Sequence, residues 1–272
     1  MKNLVKRDAR VEICRDLADA SARGADLFAT LASNAINARG AFRVALSGGS
    51  TPKALYQRLA SDAIKAHIAW NAVHFFWSDE RCVAPDDAQS NYRMAYDALL
   101  AHVPISQGNV HRMRGEIEPA RAAREYSEIL VREFTEHLTA TRADEVNEIS
   151  SAPTEDALST PRFDLILLGM GEDGHTASLF PYSPALDDVT HLVLAPYVEK
   201  LNSYRLTFTL RVLNHAACVI FLVAGAEKAA ILRTVLEKNA DARSLPASLV
   251  APNEHGGEAI WLVDEAAASL LS

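Results

Sequence analysis

The chain has 272 residues, 49% of them hydrophobic and 23% charged, a mixture that excludes disordered, collagen-like and fibrous structure. Its 27 Lys and Arg against 35 Asp and Glu give a formal net charge of -8, the wrong sign for a general nucleic-acid or anionic-membrane binder. Any anionic ligand must be met by a local basic cluster, and 7% aromatic content argues against base-stacking platforms.

There is no apolar run of about 18 residues, and charges interrupt the start of the chain every few positions. A cytoplasmic protein with no membrane partner is expected. Cys14, Cys82 and Cys218 are odd in number, far apart and without C-x-x-C spacing, so reduced thiols are expected, with Cys218 a small buried hydrophobe.

In chain order, the alanine-rich residues 8–36 predict a covering helix, followed by a strand over Phe42–Ser47. Thr51-Pro52 then offers a capping hydroxyl and a first-turn proline to a helix over Lys53–Ala66, with Leu55, Leu59 and Ala63 on one face. A strand at Val73–Trp77 and a helix over 119–142, with Tyr126, Leu130 and Phe134 four apart, come next. Residues 144–161 hold five acidic residues, no basic ones and two prolines, and predict a mobile surface loop. Further strands are expected at Asp164–Gly169, His191–Ala195, Arg205–Leu210, Cys218–Ala224 and Ile260–Val263. Strands alternating with helices predict an α/β fold, a mainly parallel sheet with helices on both faces, in one domain spanning 1–272.

Four segments carry candidate chemistry. Ser47-Gly48-Gly49-Ser50-Thr51-Pro52 runs from a strand into a helix, where outward amides and the helix dipole suit a phosphate, although an ordinary capped turn reads the same way. It lacks the G-x-x-x-x-G-K-[ST] pattern, and Pro52 stands where a G-x-S-x-G elbow requires glycine. Gly169, Gly171 and Gly174 match G-x-G-x-x-G, but Pro181 leaves no room for the helix that would carry a pyrophosphate. That turn instead presents Asp173 and His175, a histidine able to titrate near neutrality beside a carboxylate able to orient it. A metal reading of Asp173 and His175 with Asp79 and Glu80 is weaker, since no second histidine has ligand spacing. Ser78-Asp79-Glu80-Arg81 follows a strand with Asn91 close behind, and taken alone reads as a solvated charge cluster. Arg205 and Lys228 sit at strand ends, where cations can hold a phosphate, or remain surface charges.

As an ordered set, SGGSTP (47–52), SDERCV (78–83), SNY (90–92), GMGEDGHTASLFP (169–181), RLTFTL (205–210), LN (213–214), GAEKA (225–229) and LPAS (245–248) resemble the 6-phosphogluconolactonase family over nearly the whole chain. The related glucosamine-6-phosphate deaminases share the D-G-H turn but typically continue into an Ile-Ala-Phe-Asn-Glu-Pro-like sequence, which is absent after His175. The resemblance implies a Rossmann-like open sheet, no metal and no cofactor, and hydrolysis of 6-phospho-D-glucono-1,5-lactone in the pentose phosphate pathway. It implies His175 as general base and Asp173 as its positioner. It implies a phosphate held by Gly48, Gly49, Ser50, Thr51, Arg205 and Lys228. Asp79, Arg81 and Asn91 would line the sugar end, with Arg81 equally able to organise Asp173. The acidic loop departs from the compact family pattern. An amino-sugar phosphate deaminase and a non-catalytic sugar-phosphate sensor are the competing readings.

Overall fold

Arg10, Val11, Glu12 and Ile13 alternate charged and apolar residues, a period of two that suits a strand and not the helix expected from residue 8. The computed structural model describes residues 2–6, 9–141, 160–237 and 241–271, and places strand β2 at Ala9–Cys14, paired antiparallel with β1, Lys2–Lys6. The helix starts later. Asp16 accepts from the Asp19 amide at 2.8 Å and caps α1, Leu17–Arg39, whose end is closed by Gly40. Glu12 is fully buried and bonded to Arg10 and, at 2.6 Å, to Arg23 of α1, which locks strand to helix.

Strand β3 (Phe42–Leu46) is followed by α2 (Ser50–Leu59) and the short α3 (Asp62–Lys65). The predicted helix 53–66 is thus corrected at both ends. It begins at Ser50 with Gly49 as a cap lacking any side-chain bond, so Thr51 is inside the first turn, and it breaks after Leu59, leaving Ala63 exposed. Strand β4 (Val73–Trp77) leads into β5 (Asp79–Arg81), α4 (Asn91–Ala98) and α5 (Pro119–Thr141). Next come β6 (Leu165–Leu168), β7 (Val193–Leu194), β8 (Tyr197–Val198), β9 (Ser203–Phe208), α6 (Leu210–Asn214), β10 (Cys218–Val223), α7 (Ala229–Glu237) and β11 (Glu258–Asp264). Of the predicted acidic loop 144–161, residues 144–159 lie outside the described residues.

Among the described residues the main sheet has seven strands in the order β1-β2-β11-β10-β6-β3-β4, parallel throughout except for β1. The segments predicted as strands at 191–195 and 205–210 do not join it. They supply β7 and β9 of a small antiparallel sheet, β5-β9-β7, with β8 also paired to β9. Strands β3, β6 and β10 are buried along their whole length, as a sheet covered on both faces requires. The two faces separate at β4. Phe75 stacks on Trp70, which meets Phe28 of α1, whereas Phe76 meets Phe134 of α5 and Phe163. Burial pushes the Cys14 and Cys82 thiols up to about 11 and that of Cys218 to about 12. No helix among the described residues is long and apolar enough to cross a membrane.

Tyr56, fully buried on α2, ties this layer to the end of β3. Its hydroxyl donates to the Ser47 carbonyl at 2.8 Å and accepts from the Ser47 amide at 2.9 Å. Tyr56→Phe leaves both backbone groups unpaired and is expected to lower stability by about 1–3 kcal/mol in urea unfolding; an unchanged midpoint would show that Ser47 finds other partners.

Candidate active site

The chain passes from β3 to β4 on one side and then crosses back to β6 on the other side of β3. Such a reversal opens a crevice at the carboxyl ends of the flanking strands, where open α/β sheets bind ligands. A cleft of about 610 Å³ lies there, walled by the segments that leave β3, β6 and β10 and by the edge of the small sheet. Every sequence-predicted site residue lines it except Asp173, which stands behind His175.

The first wall is the turn from β3 into α2. Its helix start carries no acidic residue and no side-chain cap, so the first-turn amides of Ser50 and Thr51 keep their donors and the positive dipole end faces the cleft. A Cβ on Gly48 would lie 1.8 Å from Oδ1 of Asn91, so the absence of a side chain here lets Asn91 pack against the turn. Asn91 is buried, donates to the Asp79 carbonyl at 2.9 Å and carboxylate at 3.2 Å, and keeps its own Oδ1 without a hydrogen-bond donor.

The second wall follows β6. No helix begins between Gly169 and Pro181, so the G-x-G-x-x-G match does not build a dinucleotide site. Instead the chain folds back through Gly171–His175, with the Gly171 amide bonded to the His175 carbonyl at 2.9 Å. The His175 ring lies against Gly171, where a Cβ would come within 2.0 Å of Nδ1. That nitrogen is 2.5 Å from Oδ1 of Asp173, and the ring stacks on Phe180 at 4.4 Å between centroids. Lys200 closes the set: its ammonium bonds Oδ2 of Asp173 and sits 4.6 Å over the Phe180 ring. Burial works against ionisation of Asp173, yet the bonds from His175 and Lys200 outweigh it and hold its carboxyl far below the usual carboxylate range. Asp173 is therefore a fixed anion, holding His175 with Nδ1 engaged and Nε2 as the remaining nitrogen.

The third wall is the small sheet. Asp79 accepts from Ser178 at 2.8 Å as well as from Asn91, joining the His175 turn to the start of α4. Glu80, buried beside it, takes the Asn91 and Tyr92 amides of the α4 N-terminus at 2.7 and 2.8 Å; burial still pushes its pKa up. Arg81 does not organise Asp173. It lies in register with Arg205 across the β5–β9 pair, both residues line the cleft, and the Arg81 guanidinium donates to the Gln89 carbonyl at 2.5 Å. Burial, and after it the charge of Arg81, lowers the pKa of Arg205, while Asp79 and Glu80 act in the opposite direction. Lys228, at the end of β10, borders the same space 3.9 Å from Glu172.

The sequence thus indicated nearly all of the wall and missed Lys200, which sits in Val198-Glu199-Lys200-Leu201 with no motif around it. Only the fold, by pairing β8 with β9, carries it to Asp173.

Residues 15–261 match the family described as glucosamine-6-phosphate isomerases/6-phosphogluconolactonase. A 6-phosphogluconolactonase of Synechocystis sp. is 40% identical over 239 residues, covering 88% of each chain, and one of Nostoc sp. is 39% identical over 263 residues, covering 96% of this chain and 98% of its own. The crystal structure of 6-phosphogluconolactonase from Thermotoga maritima is similar with a TM-score of 0.71 at 28% identity, covering 93% of this chain and 98% of that one. With the cleft, its basic wall and its His–Asp pair in the same chain order as the motifs, the protein belongs to the glucosamine-6-phosphate isomerase/6-phosphogluconolactonase family.

Proposed function

We propose that the protein hydrolyses 6-phospho-D-glucono-1,5-lactone to 6-phospho-D-gluconate, with His175 as general base. The observation that carries this reading is that one cleft is lined by an imidazole held by a carboxylate, by two arginines in register and by the start of a helix. The relatives named above as 6-phosphogluconolactonases support it.

In this reading Nε2 of His175 takes a proton from water as its oxygen attacks the lactone carbonyl carbon. Asp173 stabilises the imidazolium that forms. Collapse of the tetrahedral intermediate breaks the bond from the carbonyl carbon to the ring oxygen, which takes the proton back from His175. The new carboxylic acid then ionises and releases one proton. A lactone is an activated ester, so general-base assistance of about 10²–10⁴-fold is sufficient chemistry for one histidine. Arg205, Arg81, Lys228 and the Gly48–Thr51 turn hold the phosphate and fix the carbonyl in place. Asp79 and Asn91 border the sugar, with Asp79 held by Ser178.

Proton release from freshly prepared lactone at neutral pH, with spontaneous hydrolysis subtracted, tests this directly. His175→Ala is expected to lose about 10²–10⁴-fold in rate; undiminished turnover removes His175 as the base, and ammonia release from glucosamine-6-phosphate would move the reading to a deaminase. Arg205→Ala is expected to raise KM for the phosphorylated lactone roughly 10–100-fold and to leave hydrolysis of unphosphorylated gluconolactone unchanged. Because the carboxyl of Asp173 is depressed, its stabilising contribution is complete above the ordinary value of about 3.9 and is lost only as pH falls through the lower native value. The thermal-midpoint gap between wild type and Asp173→Asn is accordingly expected at pH 5 and expected to close in strong acid.

A further inference from the structure

At the amino-terminal end of the main sheet, away from the cleft, three residues far apart in sequence converge. His74 is the second residue of the edge strand β4. His111 follows a segment that extends the sheet beyond that edge, with Val110 bridged to Phe75 and the His111 amide donating to the Phe75 carbonyl at 2.8 Å. Glu133 comes from α5. Nδ1 of His74 and Nε2 of His111 share a 3.3 Å hydrogen bond that a bound ion would replace, and Oε2 of Glu133 is 3.9 Å from the first and 3.7 Å from the second.

Those two carboxylate distances are too long for hydrogen bonds. They are close to another length. Ligand atoms at about 2.0–2.1 Å from a tetrahedral zinc are separated by about 3.4 Å, which the nitrogen pair already matches and the carboxylate reaches by moving a few tenths of an ångström. The donors are also held in place before any ion arrives. His111 stacks on Phe76 at 4.4 Å, and the two imidazoles are parallel within 7°. Arg132 takes the other carboxylate oxygen, Oε1, at 3.2 Å, which turns Oε2 toward the histidines. The neighbouring Arg43 lies over the Phe134 ring at 5.3 Å and donates to the Glu133 carbonyl at 3.4 Å, leaving the Glu133 carboxylate to Arg132 and the histidines. Side-chain exposures of 21% for His74 and 17% for Glu133 leave a path for a water as fourth ligand, while His111 is 7% exposed.

We propose that His74, His111 and Glu133 form a binding site for one tetrahedral divalent cation of the zinc class. Two imidazoles and a carboxylate favour zinc and its neighbours over magnesium or calcium, which require more oxygen ligands. The ion joins the edge strand, the 110–111 segment and α5, three parts of the chain with no covalent link nearby. Because the cleft is at the opposite end of β4, it acts on stability and not on turnover.

The test is titration of the metal-free protein with Co²⁺, read by the visible bands of tetrahedral cobalt, and with Zn²⁺, read by thermal midpoint. Wild type is expected to bind one equivalent and to gain roughly 5–10 °C at a free concentration about 100 times Kd. His74→Gln and Glu133→Gln, both at partly exposed positions, are expected to fold, to lose the bands and the shift, and to keep wild-type lactone turnover. His175→Ala is expected to keep the bands. Absence of binding by wild type, bands that survive in both ligand variants, or bands lost in His175→Ala would overturn the assignment.

Discussion

Strands β3, β6 and β10 are covered on both faces, and apart from Arg43 near the start of β3 their side chains are apolar, since a polar group leaving them sideways would lose its hydrogen bonds to an apolar layer. Polar chemistry is confined to the strand ends. Parallel pairing puts all the carboxyl ends on one side, and the reversal of strand order between β3 and β6 separates the segments that leave them. The cleft, the phosphate-type turn and the His175 turn all follow from that one constraint. Residues from positions 47 to 228 meet there because each lies just beyond a buried strand or on the small sheet that caps the same side.

An acidic chain has to build a positive site locally, and it does so by geometry. Arg81 and Arg205 stand in register across two antiparallel strands, which brings two cations to one side of the cleft. Glu172 and Glu227 also line the cleft, but the carboxylates nearest the His175 turn and the small sheet are committed to protein partners. Glu80 is taken by the start of α4, Asp79 by Ser178 and Asn91, and Asp173 by His175 and Lys200. With their lone pairs turned inward, these anions organise the walls without opposing an anionic ligand as strongly as solvent-facing carboxylates would. The close approaches are also between protein groups: Gly48 admits Asn91, and Gly171 admits the His175 ring.

The two ends of β4 are used differently. Its carboxyl end feeds Asp79 and Arg81 to the cleft, while its amino end gathers His74 with His111 and Glu133. An edge strand has one unpaired side, and here the 110–111 segment covers part of it. A cross-link at this position would tie the β4 edge to α5 at the end of the strand away from the cleft.

The β-rich apolar runs, the strand-to-helix turn at Gly48–Gly49 and the Asp173–His175 pair were legible in the sequence, because each is a local pattern whose physics acts within a few residues. Where local signals competed, length and composition misled: the alanine-rich stretch hid the alternation of Arg10–Ile13, and β7 and β9 resembled members of the main sheet. Lys200, the facing of Arg81 and Arg205, and the union of His74, His111 and Glu133 had no local signature at all. From the order of residues alone follow the α/β class, the buried strands β3, β4, β6, β10 and β11 and a set of candidate site residues. Which charges face one another was set by the fold, because sheet order and strand register bring together residues whose spacing along the chain carries no trace of their contact.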